Sequence, residues 1–279
     1  MISQAGARLA GGENDGGPFG PGLPDHARGR RLRRASDVLY RHRRMLRGAA
    51  GMFHQGRTLG LLDVAPETAI RRLDAAPPCG RFLIHGSPAT AARTALCLAG
   101  AGFEIDTALV TVAADSAAAR GRIDALRAAP PPGHEARVEL LGRGSSPSLI
   151  HAVQALQMER DLTPMPDWFL RGDECDSVSA AWISPGGAVV AAATVQPLPP
   201  FGRWLRPVLG SSICVREAGS GWGSYVNAWL LGFASEHLDA TGLVEIVEAG
   251  NAASLAMNRK AGLNPDPDIA FIFAETAGG

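Results

Sequence analysis

From residue 81 onward the chain alternates short apolar runs with segments whose apolar residues recur at helical spacing. Phe82, Leu83 and Ile84 form a continuous apolar run of the kind a buried strand shows. Residues 88–99 read as a helix, with Ser87 as its side-chain cap and Pro88 in its first turn; Gly100 and Gly102 end it. Residues 107–112 read as a strand. Residues 115–129 read as a helix that stops at Pro130-Pro131-Pro132-Gly133, which marks a domain boundary. Beyond that break the pattern predicts a strand at 137–141 and helices at 147–160 and 166–171. Two strands follow at 177–183 and 188–195, joined through Ser184-Pro185-Gly186-Gly187 as a hairpin. A strand at 208–215 comes next. Residues 222–238 carry Tyr225, Val226, Trp229, Leu230, Phe233 and Leu238 at helical spacing. A strand at 243–247, a helix at 252–261 and a closing strand at 269–274 complete the chain. This order predicts an α/β fold, α+β in character, built on a mixed sheet.

The N-terminal end reads differently. Residues 1–27 are dominated by Gly, Pro and polar side chains (GGENDGGPFGPGLP), too little apolar surface to offset ordering entropy, so a disordered tail is expected. Residues 28–47 are dense in arginine. Asp37, Val38, Leu39, Tyr40, Met45 and Leu46 give this segment a weakly amphipathic helical pattern with Ser36 as a plausible N-cap. It is read either as a solvated helix face or as an arm for phosphate-rich partners. The expected organisation is a tail over 1–35, a smaller N-terminal α/β domain over 36–134 and a C-terminal domain over 135–279.

Composition narrows the classes. A length of 279 residues suits two domains, and 46% hydrophobic residues can bury a real core. Formal net charge is zero, so the chain as a whole is not built to meet nucleic acid or an anionic membrane. Lys260 is the only lysine, so the choice of Arg over Lys at any one place carries no information. Cys79, Cys97, Cys175 and Cys214 do not fall at metal-ligand spacing, and no metal is expected. Cys97 and Cys214 lie in apolar runs and read as small buried hydrophobes. This cysteine usage, the lack of an apolar stretch of ~18–20 residues and the lack of a signal-peptide core point to a cytoplasmic protein.

Two segments carry chemistry. Ala218-Gly219-Ser220-Gly221-Trp222-Gly223 follows a strand and opens a helix. Glycines there let backbone N–H groups turn toward a phosphate, and the helix N-terminus adds partial positive charge. No Gly-Lys-Ser/Thr follows, which excludes a P-loop, and the G-x-G-x-G spacing is not that of a dinucleotide-binding turn. Close packing of a helix on a strand by small residues is the alternative. The second segment runs from Val247 through Asn251, Ser254, Met257, Asn258 and Gly262 to Leu263, and reads as strand, capped helix, glycine stop. Asn251 can cap that helix, and can also reach a ligand lying between two strands.

Together the two segments resemble the GNAT superfamily of acyl-CoA-dependent N-acyltransferases, over about half the chain. The resemblance implies a GNAT-type fold in the C-terminal half and transfer of an acetyl or other acyl group from acetyl-CoA to an amine by direct attack. The acceptor would be a small molecule or an amino-acid-like compound. It implies a pyrophosphate held by Ala218, Gly219, Ser220, Gly221, Trp222 and Gly223, and pantetheine bonded by Asn251, with Ser254 and Asn258 beside it. Ile213 and Val215 would polarise the thioester carbonyl through their backbone N–H groups. Three departures stand out. Ala218 falls where the family has Arg or Gln, with Arg216 two residues away. Asn258 falls where a tyrosine often protonates the leaving thiolate, which leaves Ser254, water or another side chain for that task, or a thiolate that departs unprotonated. The 208–215 strand lacks a catalytic carboxylate. Glu245, on the next strand, is a candidate base if it faces inward and a plain surface residue if it does not. Asp173, Glu174 and Asp176 would attract a cationic amine or form a solvated turn. Trp168, Phe169, Trp182 and Trp204 would line an acceptor cleft or belong to the core. His151 and His237 read as helix-surface residues.

Residues 81–113 repeat the strand, small-residue helix, glycine, strand order of 247–274. This is either a degenerate GNAT-like copy, without a Gly-rich turn and so without CoA, or a chance likeness of two strand–helix–strand units. The departures also admit a non-catalytic acyl-CoA-binding or sensing protein. A membrane partner is not expected, a nucleic-acid partner is disfavoured, and a homodimer is allowed.

Overall fold

A computed structural model describes residues 27–47, 49–131, 135–173 and 175–276. The first element is α1 (Ala27–Arg47). Leu32, Ala35, Val38, Leu39 and Leu46 recur at helical spacing and are buried. That burial corrects two expectations. Residues 27–35 are helix rather than tail, and Ser36 is no cap: it lies mid-helix, fully buried, accepting a hydrogen bond from Trp168 Nε1 at 3.0 Å. The remainder of the expected disordered tail, residues 1–26, lies outside the described residues.

Next come β1 (Met52–His54), β2 (Leu59–Leu61), α2 (Pro66–Ala75), β3 (Arg81–Gly86), α3 (Pro88–Gly100), β4 (Phe103–Asp106), β5 (Leu109–Asp115) and α4 (Ser116–Arg127). Ser87 caps α3 by accepting from the Thr90 N–H at 3.2 Å. The second half contributes β6 (Arg137–Leu140), α5 (Pro147–Glu159), α6 (Asp167–Leu170), β7 (Val178–Ile183), β8 (Val189–Pro197), β9 (Pro207–Val215), α7 (Trp222–His237), β10 (Gly242–Glu248), α8 (Ala252–Ala261), β11 (Asn264–Pro265) and β12 (Ala270–Thr276). The hairpin at Ser184–Gly187 forms as expected, closed by Ser184 N–H to Ala188 O.

The strands make two mixed sheets, ordered β1-β2-β3-β12-β4 and β11-β5-β10-β9-β8-β7-β6. Five strands of each follow one plan. β1–β2 and β8–β9 are antiparallel, β2–β3 and β9–β10 parallel, and the remaining two contacts antiparallel in both. The elements before Arg81 obey this plan as well, so the likeness of the halves extends beyond two strand–helix–strand units. The fourth place in each sheet is exchanged. β12, expected to close the C-terminal half, pairs instead with β3 and β4; its place beside β10 is taken by β5 from the N-terminal half. The proline-rich break at 130–133 therefore divides the chain but not its sheets. Residues 132–134 of that break lie outside the described residues.

Three buried clusters hold the layers. One joins α1, the first sheet and α5–α6 to Ala181, Ala192 and Cys214 of the second sheet. Another packs α4 and α7 on the opposite face, onto Val112, Trp182, Val208, Leu243 and Val247. The third lies between the halves and contains Phe53, Leu83, Phe201, Trp204, Leu209, Val244 and Phe271. Cys214 is buried as expected, but Cys97 is exposed: α3 turns Ala91, Thr94 and Leu98 inward, and Cys97 faces out beside an exposed Leu96. No helix among the described residues is long and apolar enough to cross a membrane.

Candidate functional site

β9 and β10 pair in parallel from Pro207–Gly242 to Gly210–Glu245, and there the pairing ends. Both strands continue, β9 to Val215 and β10 to Glu248, so they splay apart. A bulge bends β9 at this point. Its register with β8 slips between Ala192 and Thr194, and Ser212 adopts a left-handed φ of 53°. Beyond the bulge, Arg216 N–H bonds Val190 O on β8 at 2.7 Å. Alternation along a strand then turns the N–H groups of Val215 and Ile213 the other way, into the splay.

The Gly-rich segment leads from the splay into α7. Gly219 and Gly221 have φ of 80° and 87°, a conformation that side chains with a Cβ rarely adopt. Gly221 is the N-cap of α7 and Trp222, buried, pins the first turn into the core, with its ring edge-on to Tyr225. Among the described residues no hydrogen bond ties up the N–H groups of Gly219, Ser220, Gly221 or Trp222. Ser220 Oγ donates to Glu217 O at 2.7 Å and holds the turn. Ala218 is exposed. Arg216 does not reach this turn: it pairs with Glu159 at 3.0 Å and bonds Val189 O.

Across the splay, Asn251 caps α8, its Oδ1 accepting from the Ser254 N–H at 3.0 Å. Its Nδ2 remains for another partner. Ser254 is half-buried, and its carbonyl accepts from Asn258 Nδ2 at 3.1 Å. Asn258 is fully buried and bonded in three directions: Nδ2 also donates to Glu245 Oε2 at 2.9 Å, and Oδ1 accepts from Asn227 Nδ2 at 3.2 Å. Glu245 thus faces inward, not solvent. Its Oε1 is buried without a hydrogen bond, and burial pushes its carboxyl up to about 7. The chain makes room for it with Gly210, where a Cβ would stand 3.0 Å from Oε1.

Asn227, Gly210 and Ser212 did not stand out in the sequence. Asn227 carried a signal, since it shares helical spacing with Leu230, Leu231 and Ala234, all buried. Two carboxylates of the acidic loop are paired, Asp173 with Arg143 and Asp176 with Arg47, while Glu174 lies outside the described residues. Trp168, Phe169, Trp182 and Trp204 are all core. His237 is exposed and His151 half-buried.

The same end of the N-terminal half is shut. β2 pairs with β3 from Leu59–Phe82 to Leu61–Ile84, and β3 runs on through His85. Asp63 Oδ1 lies 3.0 Å from His85 Nδ1, and the imidazole packs on Phe201 and Phe271 at 4.6 and 5.0 Å. No glycine opens α2, whose first turn is Pro66-Glu67.

No protein-family model and no curated protein sequence matches the chain. Solved structures do. A GCN5-related N-acetyltransferase from Kribbella flavida superposes with a TM-score of 0.55 over 88% of this chain and 96% of its own, at 13% identity. A Drosophila protein gives 0.50 over 80% and 71%, at 12% identity. A tandem GNAT protein from the clavulanic acid biosynthesis pathway gives 0.48 over 80% and 76%, at 14% identity. At such identities the likeness is one of fold: the chain has the GNAT fold. The match to the first of these extends across both halves rather than the C-terminal half alone.

Proposed function

We propose that the chain is an acyltransferase that moves an acyl group, acetyl first among them, from acyl-CoA to the amine of a small-molecule or amino-acid-like acceptor. One observation carries this reading. The parallel pair β9–β10 opens just before a glycine turn whose N–H groups have no partner among the described residues and which feeds a helix N-terminus. Such a turn is an anion cradle, suited to a pyrophosphate. The N–H groups of Gly219, Ser220, Gly221, Trp222 and Gly223 would hold it, with Asn251 Nδ2 and Ser254 on the pantetheine side. The N–H groups of Ile213 and Val215 face the gap and would stabilise the oxyanion as an amine adds to the thioester carbonyl. A cytoplasmic location fits the cysteines among the described residues, none of which is in a disulfide.

A second reading is a non-catalytic acyl-CoA-binding or sensing protein. It is favoured by Ala218 and Asn258 standing where the resemblance places a cation and a tyrosine. Both readings require acyl-CoA on the turn. A thermal-shift titration with acetyl-CoA tests that requirement, because a ligand at a hundred times its Kd stabilises the native state by about 2.7 kcal/mol. Ala218→Glu adds a carboxylate at an exposed site whose backbone is unstrained, and is expected to abolish the shift while the protein stays folded. No shift in the unmodified chain at millimolar acetyl-CoA would refute both readings. Thiol release with an amine panel then separates them, since only the enzyme turns over.

A further inference from the structure

We propose that Glu245 donates the proton that the CoA sulfur takes up as it leaves. The inference rests on the acyl-CoA reading above. It starts from an unusual group: a carboxyl on a central strand, 4% exposed, with Oε2 bonded to Asn258 and Oε1 without a hydrogen bond among the described residues. A buried polar atom without a partner is costly, so Oε1 has capacity for a water or a ligand group. The contacts are all neutral: Asn227 from α7, Asn258 from α8, Gly210 from β9, and Val112 opposite on β5. No cation among the described residues holds the carboxylate form, so burial wins and the carboxyl is raised to about 7.

Position selects the role. Glu245 and Gly210 are the last pair before the splay, so the carboxyl marks its apex. Glu245 points to the face covered by α7 and α8, the face on which the glycine turn enters α7. A CoA held on that turn with its pantetheine in the splay would bring its sulfur toward the apex that Glu245 marks. Asn258 offers only an amide, which has no proton to give at ordinary pH. Glu245 is the titratable group this network presents.

The step balances. The amine nitrogen bonds the acyl carbon, the carbon–sulfur bond breaks, and its electron pair stays on sulfur. The Glu245 carboxyl proton passes to sulfur, leaving a carboxylate and free CoA thiol. The proton shed by the new C–N centre reaches solvent, and Glu245 is reprotonated once the thiol departs. A free thiol has a pKa of ~8.5, so an acid near 7 delivers the proton downhill.

The test uses the full chain and infrared difference spectroscopy of its protonated carboxyl band. The Glu245 band is the one that titrates near neutrality and vanishes in Glu245→Gln. If that variant fails to fold, Asn258→Leu assigns the same band by moving it, since it removes the bond to Oε2. CoA and desulfo-CoA are then added at saturation, with binding confirmed by thermal shift. The expected result is that both bind and only CoA moves the band. A band unmoved by bound CoA, or moved equally by desulfo-CoA, overturns the proposal and leaves the acyl-CoA reading standing. Failure of CoA, desulfo-CoA and acetyl-CoA to bind overturns that reading, and the proposal with it. With an accepted amine in hand, Glu245→Gln is expected to slow thiol release by about a hundredfold, with little change in KM for acetyl-CoA.

Discussion

The two halves share a sheet plan and differ at one end of it. In the C-terminal half the parallel strands open at Gly210–Glu245, and a glycine turn with unpartnered N–H groups follows. In the N-terminal half the parallel pairing ends at Leu61–Ile84, and the end is closed by the Asp63–His85 contact and by Phe201 and Phe271. Where the first has Gly221 at a helix start, the second has Pro66 followed by Glu67, whose carboxylate would repel a phosphate. One scaffold thus serves as a binding end and as a packing end. What separates them is local: a bulge, three glycines, and the side chains that fill or leave the gap.

The exchange of β5 and β12 makes the halves depend on each other, and breaking it has the largest expected effect. Residues 135–279 alone lack β5, and β10 keeps β9 but loses its antiparallel neighbour along Gly242–Glu248. The same cut leaves β3 and β4 without β12. An exposed apolar edge of that length aggregates or stays unfolded. Neither fragment is expected to show a cooperative unfolding transition alone, whereas the two co-expressed are expected to restore one. A cooperative, soluble 135–279 fragment would show that the second sheet does not need its borrowed strand.

The closed end supplies the next. His85→Ala empties a site lined by Phe201 and Phe271 and should lower stability by roughly 2–5 kcal/mol, the range of large-to-small core changes. It should leave acetyl-CoA affinity unchanged, because the ring closes the other half's gap. A loss of affinity at unchanged fold would place both ends in one site.

Proton linkage gives a third contrast. Glu245 has a folded pKa of about 7 against an ordinary 4.5, so its stabilisation is complete below about pH 4.5 and is lost as pH rises through about 7. Order of magnitude, that loss is about 3 kcal/mol. His54, which burial lowers to about 4 with the Arg43 charge adding to it, works the other way: its contribution is present above about pH 6.5 and fades as pH falls toward 4. Between those limits the two slopes oppose each other. His85, also lowered by burial, adds to the His54 slope, so chemical denaturation across pH is expected to show a rise through the acid range that Glu245 partly offsets. Glu245→Gln should steepen that rise. An unchanged profile would mean that Glu245 is not protonated in the folded chain.

How much of this the sequence held depends on range. The open end is written in contiguous residues: Ala218 to Gly223 and Val247 to Leu263 each carry their strand, turn and helix in one window. Glu245 was visible as a carboxylate on an apolar strand, though nothing local says whether it faces in or out; Asn227 and Asn258 decide that from two separate helices. The N-terminal half was read poorly because β1 and β2 are three residues long, too short for a period to show. Cys97 misled for the opposite reason: α3 buries the polar Thr94 and exposes the apolar Leu96 and Cys97, so its sequence does not mark a buried face. The strand exchange was illegible in principle. β12 reads as a closing strand whichever sheet it closes, and only the pairing of Phe271 with His85 and of Leu243 with Ala114 tells which.

The smallest effect sharpens the comparison most, because it adds function to the open end instead of removing it. Ala218 is exposed, on a turn whose N–H groups point at the proposed pyrophosphate, and its backbone φ is not left-handed. Ala218→Arg therefore adds a guanidinium without strain, at a place where charge-assisted bonds to phosphate are available. The site is solvated, so the gain is modest: about 1 kcal/mol, or roughly a fivefold lower Kd for acetyl-CoA, shrinking as salt is raised. The matching change in the closed half, Ala65→Arg at the N-cap of α2, should add nothing, since Glu67 and the Asp63–His85 closure stand there. Isothermal titration of both variants at two salt concentrations reads the difference. Equal gains from both would mean that the arginine attracts CoA by charge alone, and that the glycine turn is not the cradle.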